Sequence, residues 1–386
     1  MLVSTLLSLS MAPSVAVAAP DIGPALEEPK KGKWDPKGKA MEIYLQARIQ
    51  MKKEDWDAAT ELYVQSLDKQ AGCGKCLNEL GDVLIGAERY DDAASTGELL
   101  AKLYPDKVNG WANVAAAMRK KRAWQESIDA LDKVIEVDPD ASWAWGDRTD
   151  SYIQMGDTDK PMSLLDGAEE AGLKADAVAC LRVTLYTARD DADAARKEWD
   201  EGCAESKAAD LRRPAEGWLA LVEGDAEKAA KALMRAGSGD AIRLAMAMAR
   251  YDQGKLDASV NLCDKLLEDL EVTAWDVHVT KARALFALQK PDEAMEQLRA
   301  ELLSEGWEDK HKNASSKDVL LKAKGKGWAK ELGLTSTELG VRILSEAGKA
   351  EEAQALFDKA VAIYGETEGL KAAITPPETE EAPADE

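Results

Sequence analysis

Few residues in this chain could do covalent or acid–base chemistry: five Cys and two His among 386 residues. Cys73-Gly74-Lys75-Cys76 has the spacing of a redox dithiol, and a helix N-terminus at such a pair would lower a thiolate pKa. That chemistry calls for a strand–helix–strand setting, whereas this pair lies in a turn between helical segments. Leu77 stands where covalent haem attachment requires His. In an exported chain a local Cys73–Cys76 disulfide is the natural outcome; metal binding with a second pair, catalytic redox and free thiols are the other readings. Cys180, Cys203 and Cys263 fall on apolar faces and read as core residues. A Cys180–Cys203 bridge stays open, because both belong to one helical hairpin. His278 lies in a helical run and reads as a satisfied, half-buried imidazole, and His311 lies in a Lys-rich stretch. No Gly-rich phosphate loop, GxSxG or HExxH occurs. Carboxylates abound, but acid–base catalysis needs two in one perturbed environment. The reading is a non-enzyme with no catalytic residue, no metal and no cofactor.

The elements that must position these residues follow a period of 34. Pro105 and Pro139 are that far apart, as are Trp111 and Trp145, and Trp56, Tyr90 and Trp124 keep the same step. Ala59, Ala93, Ser127, Pro161, Ala195 and Ala229 form a further series, small in all but one place. Windows starting at 40, 74, 108, 142, 176 and 210 hold the phase, and later units start near 240, 275 and 334. Within 108–141, Trp111, Val114, Ala115 and Met118 mark one helix face, and Ile128, Leu131, Val134 and Ile135 mark another. Asp138-Pro139 stops the second helix. Helices this short are marginal alone, so each buries its face on neighbours. Small residues (Ala47 with Ala59, Gly81 with Ala93, Ala115 with Ser127) allow close approach, and large ones such as Tyr63, Trp145 and Trp199 fill the space between. The expected fold is all-α: a right-handed α-solenoid of stacked helix-turn-helix repeats.

These residues resemble the tetratricopeptide repeat. The match rests on Trp111/Ala115/Met118/Ser127/Leu131/Pro139 and Leu77/Gly81/Leu84/Ala93/Pro105, with second-helix starts at Asp55–Ala59, Arg89–Ala93 and Ala123–Ser127. Departures are Pro161 at an Ala position, Gly97 at a large one and Arg182 at an apolar one. The resemblance implies a groove lined by the first helix of each unit and holding peptides or protein segments. By position it is lined by Tyr44, Arg48, Asn78, Asp82, Asn109, Arg119 and Trp143. Family members that grip a C-terminal carboxylate place Lys and Asn in three successive units. Here those places hold Tyr44 and Arg48, then Glu79, then Asn109 and Asn113, so a carboxylate clamp is not supported.

Charge and composition bound the rest. Asp and Glu number 72 against 50 Lys and Arg, a net charge of −22, which disfavours nucleic acid as a partner. Residues 1–18 carry no charge and end in Ala16-Val17-Ala18, the pattern of a cleaved signal peptide, which predicts export to the periplasm or outside the cell. Residues 19–39, with four Pro and five Lys, read as a linker, and 40–308 as the solenoid of about eight units. Residues 309–333 read as a Lys-rich insertion, 334–373 as a last repeat and C-terminal helix, and 374–386 as a disordered acidic tail. Lys310, Lys312, Lys317, Lys322, Lys324, Lys326 and Lys330 form a basic patch suited to an acidic partner or to the chain's own tail. The mature chain is expected not to span a membrane. The function expected is a protein-interaction scaffold in the cell envelope using the groove. The alternatives are an accessory subunit of an envelope or secretion machine using its outer surface, or a thiol-redox protein through Cys73 and Cys76.

Overall fold

A computed structural model of the chain describes residues 19–27, 30–189, 191–237, 240–269, 275–302 and 325–375. Every regular element among them is helical, and within each unit most helices pack against the next one along the chain. The chain divides into two units, at Ala123/Trp124. The first holds α1 (Gly23–Leu26), then the pairs α2 (Lys39–Met51) with α3 (Trp56–Lys69) and α4 (Gly74–Gly86) with α5 (Tyr90–Leu103), and then α6 (Asn109–Lys121). The second opens with α7 (Trp124–Val137) and continues through α8 (Ser142–Gln154), α9 (Asp159–Leu165), α10 (Ala168–Ala171), α11 (Ala175–Ala188) and α12 (Ala192–Glu201). It goes on through α13 (Ala209–Val222), α14 (Ala226–Leu233), α15 (Asp240–Asp252), α16 (Leu256–Asp269), α17 (Trp275–Ala287) and α18 (Pro291–Leu302). Last come α19 (Gly325–Glu346), α20 (Ala350–Tyr364) and α21 (Glu368–Ile374).

The repeat phase reads directly as helix starts. First helices begin at 39, 74, 109, 142, 175, 209, 240 and 275, and the last begins at 325, ahead of the start near 334 that the phase predicts. In the first unit Ala47, Ala59 and Ala93 are wholly buried with Tyr63, Leu77, Leu80 and Leu84 around them. The large–small alternation thus packs helix on helix, as the short helices require. Gly97, out of place by pattern, marks the closest approach between α5 and α6. A Cβ there would lie 2.7 Å from the Gly110 carbonyl, and one on Gly110 would lie 2.4 Å from the Ala101 nitrogen. The two glycines let the backbones meet where side chains would hold them apart.

The second unit shows what the other departures do. Pro161 sits in the first turn of α9, where no amide is needed. The expected single second helix of that repeat is instead split into α9 and α10 around Gly167. Arg182, at an apolar position, reaches Asp166 at 3.5 Å and Glu198 at 3.8 Å, so its charge is compensated. The Trp145 indole donates to the Pro139 carbonyl at 3.0 Å, tying the two residues that mark the phase. Cys180 and Cys203 are joined by a disulfide, S–S 2.07 Å, so the core reading of these two gives way to the bridge; Cys263 is a buried free thiol. No helix among the described residues is long and apolar enough to cross a membrane.

Residues 19–39 read as a linker by sequence; the part of them that the structure describes makes specific contacts. Their described part lies on the first unit as a strap. The Pro20 carbonyl accepts from Arg89 at 2.8 Å, Ile22 is buried, and α1 packs against α3. The physical reason is a shortage of acceptors at the start of α4. Gly74 N–H donates to the Lys33 carbonyl at 3.4 Å and Lys75 N–H to the Trp34 carbonyl at 2.8 Å. The strap therefore caps a helix from some forty positions away.

Candidate functional site

The first-helix face of the first unit is built around one carboxylate. Glu79 of α4 accepts hydrogen bonds from the Tyr44 hydroxyl of α2 and, at 2.7 Å, from the Tyr63 hydroxyl of α3. Arg48 of α2 pairs with it at 3.4 Å. Tyr44 and Tyr63 are buried with their rings edge to face, 5.8 Å between centroids. Burial first, and then hydrogen bonding to Glu79, push both phenol pKa values above the ordinary tyrosine range. The face of α4 is joined to α6 by Asn113, which is buried and donates to the Asn78 carbonyl at 2.9 Å. Gly81 is small for this reason, since a Cβ there would meet the Asn113 amide at 2.3 Å.

Above this framework lie the surface residues. Asp82 is exposed, with no hydrogen bond or ion pair to any described residue. Protein nevertheless surrounds it on the flanks. That desolvation, and then the charge of Glu79, raise its carboxyl to about 6. Asn78, Asn109, Arg48 and Arg119 are partly or fully accessible on the same helices. The geometry rejects a carboxylate clamp. Arg48 is committed to Glu79, and the Asn113 amide to a backbone carbonyl. What the face offers instead is a mixed array of amides, a cation held in place and an acid without a partner.

Of the residues expected to line the groove, the structure brings Tyr44, Arg48, Asn78 and Asp82 together on or beneath one face, with Asn109 and Arg119 on the adjoining α6. Tyr44 corrects its own assignment: it is 2% exposed and supports the face from below. Trp143 is on α8 in the second unit, 37% exposed. Glu79, which organises the face, stands out in the sequence only as a misfit to a clamp. Its signal was the pair of tyrosines, Tyr44 and Tyr63, at positions where a shared acceptor was needed.

Cys73 and Cys76 are disulfide-linked and wholly buried at the N-terminus of α4. Cys76 N–H donates to Cys73 Sγ at 3.2 Å, and the Trp34 carbonyl lies 3.6 Å from the same sulfur. Burial under the strap does not suit an open redox centre. His278 is half-buried, with Nδ1 3.0 Å from the Gln297 amide oxygen. Desolvation pushes the Cys263 thiol up to about 12, so it is not a nucleophile near neutral pH. A polar surface cavity of about 360 Å³ between α16, α17 and α18 has both its lysines paired, Lys281 with Asp264 and Lys290 with Glu293. Among the described residues no group of three or more His, Cys, Asp or Glu is placed to hold a metal. Lys310, Lys312, Lys317, Lys322 and Lys324 of the basic patch, His311, residues 1–18 and residues 376–386 lie outside the described residues, as do the side chains of Lys326 and Lys330.

The tetratricopeptide repeat family model matches residues 44–108, the segment that carries the Glu79 framework. That segment is similar to tetratricopeptide repeats, and the helices after it are likewise short and packed on their neighbours along the chain. A curated relative, the chloroplastic tetratricopeptide repeat domain-containing protein PYG7 of Arabidopsis thaliana, is 25% identical over 104 residues. The match spans 26% of this chain and 35% of that protein. Among solved structures, the APC/C hetero-tetramer Cut9–Hcn1 is similar at 13% identity and TM-score 0.49, covering 92% of this chain and 78% of that one. A tetratricopeptide repeat protein from Parabacteroides merdae is similar at 13% identity and TM-score 0.31, covering 87% and 97%.

Proposed function

We propose that this chain is a non-catalytic scaffold that binds a segment of a partner protein on the first-helix face of its first unit. We further propose that it works in the cell envelope as an exported periplasmic or extracellular protein. The observation that carries the binding reading is the Glu79 framework. Two buried tyrosines and Arg48 converge on one carboxylate and fix the helix faces, leaving Asp82, Asn78 and Asn109 unburdened at the surface. A face whose supports are locked before binding loses little side-chain entropy on contact. Tetratricopeptide repeats, to which residues 44–108 are similar, serve as protein-interaction modules, which supports the class of partner. The export reading rests on the uncharged segment ending in Ala16-Val17-Ala18.

Photo-crosslinking residues placed at Asp82 and Asn109, and separately at Glu61 and Glu98 on the exposed sides of α3 and α5, test the binding face. Capture of a discrete partner from the first pair and not the second supports the groove. Capture from the second pair alone favours an accessory subunit that docks through its outer surface. Terminal sequencing of the chain recovered from its native compartment tests export: a new terminus at Ala19 supports it, and an intact Met1 in a cytoplasmic fraction overturns it.

A further inference from the structure

The strap makes its densest contacts over the disulfide at the start of α4. Gly32 N–H donates to the Gly72 carbonyl at 3.1 Å, and the Lys33 and Trp34 carbonyls take the Gly74 and Lys75 amides. Gln70 brackets the segment: its amide donates to the Asp35 carbonyl at 3.0 Å, and its Oε1 accepts from Lys37 N–H at 2.9 Å. The Tyr104 hydroxyl lies 2.9 Å from the Gly32 carbonyl and 2.8 Å from the Gly72 carbonyl, so its one proton serves either, and its ring packs edge to face on Trp34 at 5.2 Å. The residues flanking Cys73 are shaped to this cover. A Cβ on Gly72 would lie 2.1 Å from the Lys30 carbonyl, and one on Gly74 would lie 2.2 Å from the Trp34 ring. Gly72 also sits at φ +65°, a conformation that favours glycine.

We propose that residues 30–37 are a removable cover on the Cys73–Cys76 disulfide. Thiol–disulfide exchange at this pair proceeds only from the state in which the strap has lifted, and the strap docks more tightly on the oxidised pair than on the reduced one. Both sulfurs are wholly buried, so an incoming thiolate has no path to either while the strap is down. Once it lifts, the Gly74 and Lys75 amides lose their acceptors and face solvent at a helix N-terminus. A low-molecular-weight thiolate then attacks Cys73 Sγ, the sulfur on which the Trp34 carbonyl had lain, and forms a mixed disulfide. The Cys73–Cys76 bond breaks, and its electron pair leaves on Cys76 Sγ, 3.5 Å from the Ser66 hydroxyl. A second thiolate attacks the reductant's sulfur in the mixed disulfide and releases Cys73 as thiolate and the reductant as its own disulfide. Two electrons pass to the protein in all, and the two cysteine sulfurs take up protons according to the pH. A Cys73 thiolate competes with the Lys33 and Trp34 carbonyls for the freed amides, so reduction weakens docking. By linkage, docking favours the oxidised pair to the same degree.

The test uses the oxidised full-length chain and dithiothreitol, with thiols trapped by a mass-tagged alkylating agent and assigned by peptide. The Cys180–Cys203 bridge, equally buried but far from the strap in sequence, is the internal control. Gly74→Ala, which drives a Cβ into Trp34, and Trp34→Ala, which removes the ring without crowding, each weaken the cover. Each is expected to speed reduction of Cys73–Cys76 about tenfold, the effect of one or two lost net contacts on an opening equilibrium, with Cys180–Cys203 unchanged. An unchanged rate at Cys73–Cys76, or equal acceleration of both bridges, overturns the cover. Amide exchange at Gly74 and Lys75 in the reduced wild-type chain is expected to rise by a similar factor over the oxidised chain; equal exchange overturns the coupling.

Discussion

Replacing Glu79 with Ala removes the acceptor that holds the first-helix face together. Tyr63 is 0% and Tyr44 2% exposed, so neither hydroxyl can turn to bulk water. A hydrogen bond to a charged partner contributes about 1.5–3 kcal/mol net. The Arg48 pair, half exposed on the Arg side, adds at most about 1 kcal/mol. The three contacts share one carboxylate and do not add in full. The expected loss is therefore about 4 kcal/mol. Glu79→Gln keeps an oxygen for one hydroxyl and an amide donor for the other, so it costs about 1–2 kcal/mol. Repeats stabilise mainly their neighbours, so the loss belongs to the first unit. Native-state hydrogen exchange reads this directly: protection falls in α2 and α4 and holds in α15 and α16. A change below about 1 kcal/mol for Glu79→Ala, or a loss spread evenly over the chain, would rule out this role for Glu79.

Four further outcomes follow. Asp82 has a carboxyl raised to about 6, so the folded state binds its proton more tightly than the unfolded one. Its stabilising contribution is complete below the ordinary Asp pKa and is lost as pH rises through about 6. Asp82→Asn is expected to flatten the fall in stability between those limits and to make the chain more stable at neutral pH, as measured by urea titration at several pH values. Gly97→Ala sets a Cβ against the Gly110 carbonyl at 2.7 Å and is expected to destabilise the α5–α6 contact by about 2 kcal/mol, read as lost exchange protection there. Cys203→Ala opens a loop spanning 23 positions, an expected cost of about 3 kcal/mol by chain entropy, visible as a lower urea midpoint under oxidising conditions only. Tyr63, held above the ordinary tyrosine range by burial and Glu79, is expected to stay protonated in the folded chain as the pH passes about 10; there the unfolded chain ionises first, so stability falls as pH rises from that point, and ultraviolet phenolate absorbance reports the delayed ionisation.

The repeat plan was legible because each helix is too short to stand alone and must declare its buried face at a fixed interval. Trp111, Trp145, Pro105 and Pro139 declare it, and helix starts fall within a residue or two of the phase through Trp275. The split of the fourth second helix into α9 and α10 was not legible, since Gly167 looks like any other helix glycine until it breaks one. The strap escaped for a different reason. It is held mainly by backbone carbonyls of Lys33, Trp34 and Asp35, and main-chain acceptors leave no residue-type signature. Only the glycines on either side of Cys73 betrayed a close neighbour. Glu79 was hidden among 72 acidic residues, and its meaning came only from the two hydroxyls and the guanidinium that converge on it.

Whether the face above Glu79 grips another polypeptide decides the proposed function. The direct measurement is titration calorimetry of the partner segment captured at Asp82, against the wild-type chain and the Asp82→Ala/Asn109→Ala double variant. Saturable one-to-one binding to the wild type, weakened at least about tenfold in a variant that keeps its helical signal, is the predicted result, the scale of losing two polar contacts at an interface. Equal affinity for both proteins would contradict it.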